Sequence, residues 1–273
     1  MLDREEYVEQ IHFFRTVSER IQENIPLQDL LGQVREEILA TTRLPLAVGF
    51  LLDELKHAGA IHTAMARLPH YFTPYQTFVM RMAENDRGRF DYHIALECLR
   101  YEAQYRAEGA TPQGLFLYQF ETLCRNRLRY DHGLAAIAGD PMFDASWRDW
   151  IMSVRRRLGM VELADMIYVR SEHYRTRQAA DPDKEHEPIP PPPLFGEKEG
   201  RIALANRRKD PLFLFSALQR HLAYPPIPRR RPTTDHTQLV PQLIRRIDQL
   251  ETRLKLLEDD QRGGFDLSQF YEG

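Results

Sequence analysis

Cysteine is nearly absent from this chain. The two that occur, Cys98 and Cys124, stand inside apolar helical patterns without a CxxC pair or a Cys/His ligand spacing, which excludes a disulfide scaffold and a zinc site and fits a reducing compartment. Long apolar runs are missing too. The longest, residues 44–52, falls far short of the roughly 20 residues that a membrane-crossing helix needs, so no segment is expected to span a bilayer. The N-terminal MLDREEYVEQ is acidic and has no basic region followed by an apolar run; it does not read as a signal peptide, and the expected location is the cytoplasm. No HExxH, GxSxG or glycine-rich phosphate loop occurs. Asp91 with His93, Asp131 with His132 and Glu172 with His173 lie too close in sequence to share a helix face well and read as surface polar residues. The expectation is a protein that is not an enzyme, with no catalytic, cofactor-binding or metal-binding residue, although catalytic groups can also assemble in space from distant positions.

What is present points to helices. With 42% hydrophobic and 28% charged residues the composition is that of a folded protein and not of a disordered one, and 273 residues suffice for one large or two modest cores. Tyr7, Ile11, Phe14, Val17 and Ile21 recur at steps of three and four, the stripe of an amphipathic helix. Asn24 tolerates the left-handed conformation at a helix end and Pro26 opens the next helix, which carries Leu27, Leu30, Leu31, Val34 and Ile38. A third helix runs through Val48, Leu51, Leu52 and Leu55 to a stop at Gly59, and a short fourth covers Ile61 to Leu68 before Pro69. Thr73 and Pro74 make a cap-plus-proline start for Tyr75, Phe78, Val79 and Met82, and the turn at 85–88 breaks that helix. A sixth carries Ile94, Cys98, Tyr101 and Tyr105 up to Gly109 and Pro112. The prediction is an all-α fold with a six-helix bundle in residues 1–110 whose core includes Phe14, Leu31, Leu52, Phe78 and Ile94.

Several of these turns come in a familiar order. Phe13 and Phe14 lead to Asn24, Ile25, Pro26 and Leu27. Gly59, Ile61, Ala64, Met65, Ala66, Pro69, Phe72 and Pro74 follow, then Met80, Ala83, Glu84, Gly88, Phe90, Leu96 and Tyr101. Over roughly residues 8–106 this run resembles the cytoplasmic helical domain of the inner-membrane platform family, protein F, of bacterial type II secretion and type IV pilus machines. Asn24 stands where the family has Gly, and Ala83 and Arg87 depart from its small Gly and Ser. The family follows this domain with a transmembrane helix, whereas Thr111, Pro112, Gln113 and Gly114 lead here into a mixed segment, 115–140. The resemblance implies partners among secretion or pilus components and a place in the cytoplasm at the inner membrane.

A second helical segment is expected over 111–179. In it Trp150, Ile151, Gly159, Val161 and Ala164 stand one hundred positions after Phe50, Leu51, Gly59, Ile61 and Ala64: either a degenerate partial repeat or a pattern that helical proteins share by chance. Residues 180–200, with Pro188 and Pro190 to Pro193, read as an extended polyproline linker or a ligand for a proline-binding module. Pro225, Pro228 and Arg230 offer a second such ligand spacing.

Residues 201–235 form a basic element. Arg207, Arg208 and Lys209 precede an apolar helix, Pro211 to Leu222, and Arg229, Arg230 and Arg231 follow it. These six are candidate anion-binding residues for nucleic acid, anionic lipid headgroups or an acidic protein, or else a solvated flank. Finally Val240, Leu243, Ile247, Leu250, Leu254 and Leu257 make a heptad seam within 236–262. It predicts either a coiled coil, favouring a homodimer, or packing against the chain's own body. A tail at 263–273 carries Phe265, Leu267, Phe270 and Tyr271, either a docking peptide or a disordered end. The whole reads as an interaction or scaffold protein, with a polyanion or membrane-surface binder through 201–231 as the alternative.

Overall fold

The structure, a computed structural model, describes residues 2–23, 25–85, 90–180 and 191–229. These residues are all-α: thirteen α-helices and no β-strand are found among them. In chain order they are α1 (Arg4–Arg20), closed by a 3-10 turn at Ile21–Glu23, α2 (Leu27–Glu37), α3 (Leu44–Ala58), α4 (Ile61–Arg67), α5 (Pro74–Ala83) and α6 (Tyr92–Ala107). Then come α7 (Pro112–Arg125), α8 (Tyr130–Ala138), α9 (Ala145–Arg157), α10 (Leu163–Val169), α11 (Glu172–Ala179), α12 (Glu197–Ala205) and α13 (Pro211–Leu222). None of the described helices is long and apolar enough to cross a membrane. Asn24, the turn at 86–89, Arg230, Arg231 and the whole heptad seam from Val240 to Leu257 lie outside the described residues.

Local chemistry explains where the helices begin. Thr73 and Gln76 form a reciprocal capping box, with Gln76 N donating to Thr73 Oγ1 at 3.2 Å and Thr73 N to Gln76 Oε1 at 3.0 Å, while Pro74 supplies the first turn's fixed φ. Asp91, Thr111, Asp144, Ser171 and Asp210 cap α6, α7, α9, α11 and α13 more simply, each side-chain oxygen accepting from a first-turn N–H. The long α3 ends at Gly59, φ 70°, and α9 is followed by Gly159, φ 90°. In both places the left-handed turn that glycine adopts without strain leads into a seven-residue helix, α4 or α10. The hundred-residue echo thus extends to local geometry: Leu51 and Ile151 are both buried, as are Ala64 and Ala164, but Ile61 is buried whereas Val161 is 38% exposed.

One apolar core runs from Phe13 to Tyr224, and residues up to Arg229 make one compact unit. Helix α1 packs most extensively on α6. Phe14, Leu31 and Phe78 are buried as expected. Leu52 and Ile94 are not; both are half-buried, because Leu51 takes the inward position on α3 and Ala95 and Leu96 take it on α6. The core continues past residue 110 without a break. Phe195 packs against both Trp147 and Trp150, with ring centroids at 5.2 and 5.1 Å, and Phe116 meets Trp150 at 4.8 Å.

Part of the stretch expected as a linker is therefore built into the body. Leu194 and Phe195 are buried, their N–H groups donate to Arg170 O, and Gln113 Nε2 donates to Leu194 O at 2.6 Å. Beyond α13 the chain folds back. Tyr224 donates to Glu121 Oε2 at 2.9 Å, and Asn126 Nδ2 donates to Pro228 O at 3.1 Å. The physical reason is apolar burial: Leu214, Phe215, Leu218 and Tyr224 have no separate core to enter, and the α7 surface supplies one.

Candidate functional site

Polar groups within the body hold it together. On α1, Glu6 Oε1 accepts from Arg43 N at 2.8 Å and Glu9 Oε2 from Leu39 N at 3.1 Å, so two carboxylates tie down the turn after α2. Tyr71 donates its hydroxyl to Glu6 at 2.9 Å. Deeper, Arg106 is held between Glu102, at 2.9 Å, and Asp140, and Gln119 Nε2 donates to Glu102 at 2.7 Å. Their side chains are at most 2% exposed. Burial pushes the Glu102 carboxyl above its ordinary range, with Asp140 adding to the rise and Arg106 opposing it. For Arg106 burial alone would favour the neutral form, but the two carboxylates outweigh it and raise its pKa. Two acids and one guanidinium, fully enclosed, make a structural cluster that joins α6, α7 and the turn before α9.

The residue pairs singled out in the sequence also carry structural bonds. Asp91 Oδ1 accepts from the N–H groups of His93 and Ile94, Asp131 pairs with Arg155 at 2.6 Å, and His173 Nδ1 lies 2.7 Å from Glu197. His93 Nδ1 lies 2.6 Å from Ser18 Oγ, but Ser18 is fully buried, so this hydroxyl faces no substrate; the contact ties α1 to α6. Both cysteines are free thiols, and burial pushes Cys124 up to about 12 and Cys98 higher still, which favours the thiol over the thiolate. Among the described residues no group of three His, Cys, Asp or Glu side chains is placed to hold a metal ion.

Two places on the described surface bring open groups of different chemistry together. The first is the corner between α12 and α13, where Arg207, Arg208 and Lys209 sit together and Arg229 lies apart at the end of the fold-back segment. Arg207 is engaged: its guanidinium pairs with Asp165 and lies over the Tyr168 ring at 5.2 Å. Arg208 has a left-handed backbone, φ 57°, fixed by donation of its N–H to Glu162 Oε2 at 2.8 Å, and its side chain is exposed with that of Lys209. Next along the chain Leu212 and Phe213 are 48% and 63% exposed, while Leu214, Phe215 and Leu218 on the other face of α13 are buried. Glu162, which docks this corner, lies two residues from Met160, itself 77% exposed. The corner is thus apolar and cationic at once.

The second place is a groove that the sequence reading missed. Helix α5 forms its floor between α4 and α8, with two adjoining hollows of about 260 and 370 Å3 that share Arg81 on their borders. Pro74, Thr77, Phe78 and Arg81 recur along one face of α5, and Arg129, His132 and Ala136 along α8. That spacing was the available signal, but its polar positions look like any solvated helix face until the third helix is placed. Comparison of the chain with protein-family models, with characterised proteins and with solved structures finds no match.

Proposed function

We propose that the chain is a non-enzymatic cytoplasmic interaction or scaffold protein. In this reading residues 1–110 form a helical bundle like the cytoplasmic domain of the platform protein F, whose analogy suggests secretion or pilus components as partners, and residues 236–262 form a coiled coil that pairs two copies. The observation that carries the reading is the α12–α13 corner: Arg208 and Lys209, whose side chains have no ion pair among the described residues, precede Leu212 and Phe213, which stand open on a helix whose opposite face is packed. Apolar side chains grouped with charge on a rigid element are what a partner surface needs.

The test is capture from native cells on the full chain and on a Leu212→Asp, Phe213→Asp variant. The reading expects a defined set of proteins on the wild-type chain that is lost from the variant. The same set on both, or none on either, sinks it. A second reading, a binder of anionic membrane surface or nucleic acid, is favoured by the same juxtaposition, since apolar side chains beside Arg and Lys suit an interfacial headgroup layer. It expects retention on anionic vesicles or heparin that falls with salt and drops when Arg207, Arg208 and Lys209 become Gln. Equal retention of both proteins removes it.

A further inference from the structure

The α4–α5–α8 groove is divided by chemistry along its length. At one end Met65, Ala66, Pro69, Phe72 and Phe78 make an apolar wall, closed by Ala136 of α8. At the other end Arg81, Arg129 and His132 gather around His62 and Glu84. Among the described residues, the acids near this end already have partners. Glu84 accepts from the N–H groups of Ile61 and His62 at 2.6 and 2.9 Å and from the His62 ring, and Asp131 is paired with Arg155. Neither Arg81 nor Arg129 has an ion pair among the described residues, and Arg81 lies over the Phe78 ring at 5.6 Å, which orients its guanidinium at the junction of the two hollows. Both guanidinium groups and the His132 ring are exposed.

We infer that this groove binds a short extended peptide segment of a partner protein, one that sets a large apolar side chain in the Met65–Phe78 hollow and a carboxylate side chain against Arg81 and Arg129. The site is distinct from the α12–α13 corner and does not depend on it. Length supports a peptide: the ten residues of α5 span about 15 Å at about 1.5 Å per residue, which an extended strand crosses in about four or five residues at about 3.3 Å each. Charge supports an acid, because planar guanidinium groups take carboxylates in two-pronged hydrogen bonds. The middle of the groove supports a peptide over an alkyl chain. Thr77 places a hydroxyl there, with no hydrogen-bond partner among the described residues, where a backbone amide could meet it and a hydrocarbon would strand it.

A displayed library of random heptapeptides, selected on the full-length chain, tests the inference. The enriched peptides are expected to pair a Leu, Met or aromatic residue with an Asp or Glu about three to five positions away. A synthetic copy of one should lose at least about tenfold in affinity when its acid becomes the amide, and again on Arg81→Gln with Arg129→Gln. Ala66→Asp, at the apolar end, should weaken it as well, and Leu212→Asp with Phe213→Asp should leave it unchanged. No enrichment, enriched peptides without an acid, or affinity that survives the double arginine change would each overturn the proposal. So would binding of decanoate that depends on Arg81 and Arg129 without any peptide selected, since that would assign the groove to a free amphiphile.

Discussion

Arg106 and Arg208 carry the same side chain under opposite conditions. Arg106 is enclosed, with two carboxylates and Gln119 around it, and no part of its charge reaches solvent. Arg208 is exposed, and the acid beside it, Glu162, holds its backbone and not its guanidinium. The first arginine is held by Glu102 on its own helix and by Asp140 in the turn before α9, so its loss is expected to cost stability. The second is fixed by its backbone N–H, and its guanidinium has no ion pair among the described residues. What a cation does here follows from which of its neighbours are already paired, and like Arg208, Arg81 and Arg129 have no ion pair among the described residues.

Removing the buried cation should destabilise the protein most. Arg106→Met leaves Glu102 and Asp140 facing each other without a cation, and unfolding in urea should show a loss of about 3–5 kcal/mol. An unchanged midpoint would mean that the cluster is not closed to water. Depth decides among apolar neighbours too. Leu51→Ala should cost about 2–5 kcal/mol, and Leu52→Ala, next in sequence but half-buried, clearly less. Equal losses would reverse the assignment of the α3 face.

A subtler contrast is one of pH. Glu102 titrates above its ordinary value of 4.5 in the fold, so the folded state binds this proton more tightly than the unfolded chain does. Its contribution to stability is complete below 4.5 and is lost as the pH rises through the raised value. Thermal unfolding of Glu102→Gln across that window should lack this decline. A decline identical to that of the wild-type chain would place the proton elsewhere. The smallest effect belongs to the exposed arginine: Arg208→Gly removes the charge but suits the left-handed backbone, so stability should stay within about 1 kcal/mol of the wild-type value.

The helices of residues 4–107 were legible because several starts carry a cap or a proline and every segment repeats its apolar steps. Thr73, Pro74 and Asp91 act within four residues of themselves, and the apolar steps of three and four repeat inside each segment. Inward faces were less so: Leu51 and Leu52 are equivalent by spacing, and only the packing of α2 and α4 on α3 chooses between them. The fate of 191–229 was hidden because the Pro run dominates local reading, although Leu194 and Phe195 directly after it were the available sign of burial. Nothing local joins Arg106 to Asp140 or Arg81 to Arg129. Those pairings are made by the crossing of helices far apart in the chain, and with them went the ion cluster and the groove.

Leu212 and Phe213 stand open on α13 while Leu214, Phe215 and Leu218 on its other face are packed, so the exposed side chains are expected to contribute little to the fold. Unfolding of the isolated Phe213→Asp protein tests this most directly. An aromatic ring that is 63% exposed and has no role in packing can become an aspartate at a cost within about 0.5 kcal/mol, so the urea midpoint should not move. A loss of about 2 kcal/mol or more, the size of a core truncation, would show that Phe213 is packed within the chain itself and would contradict the account.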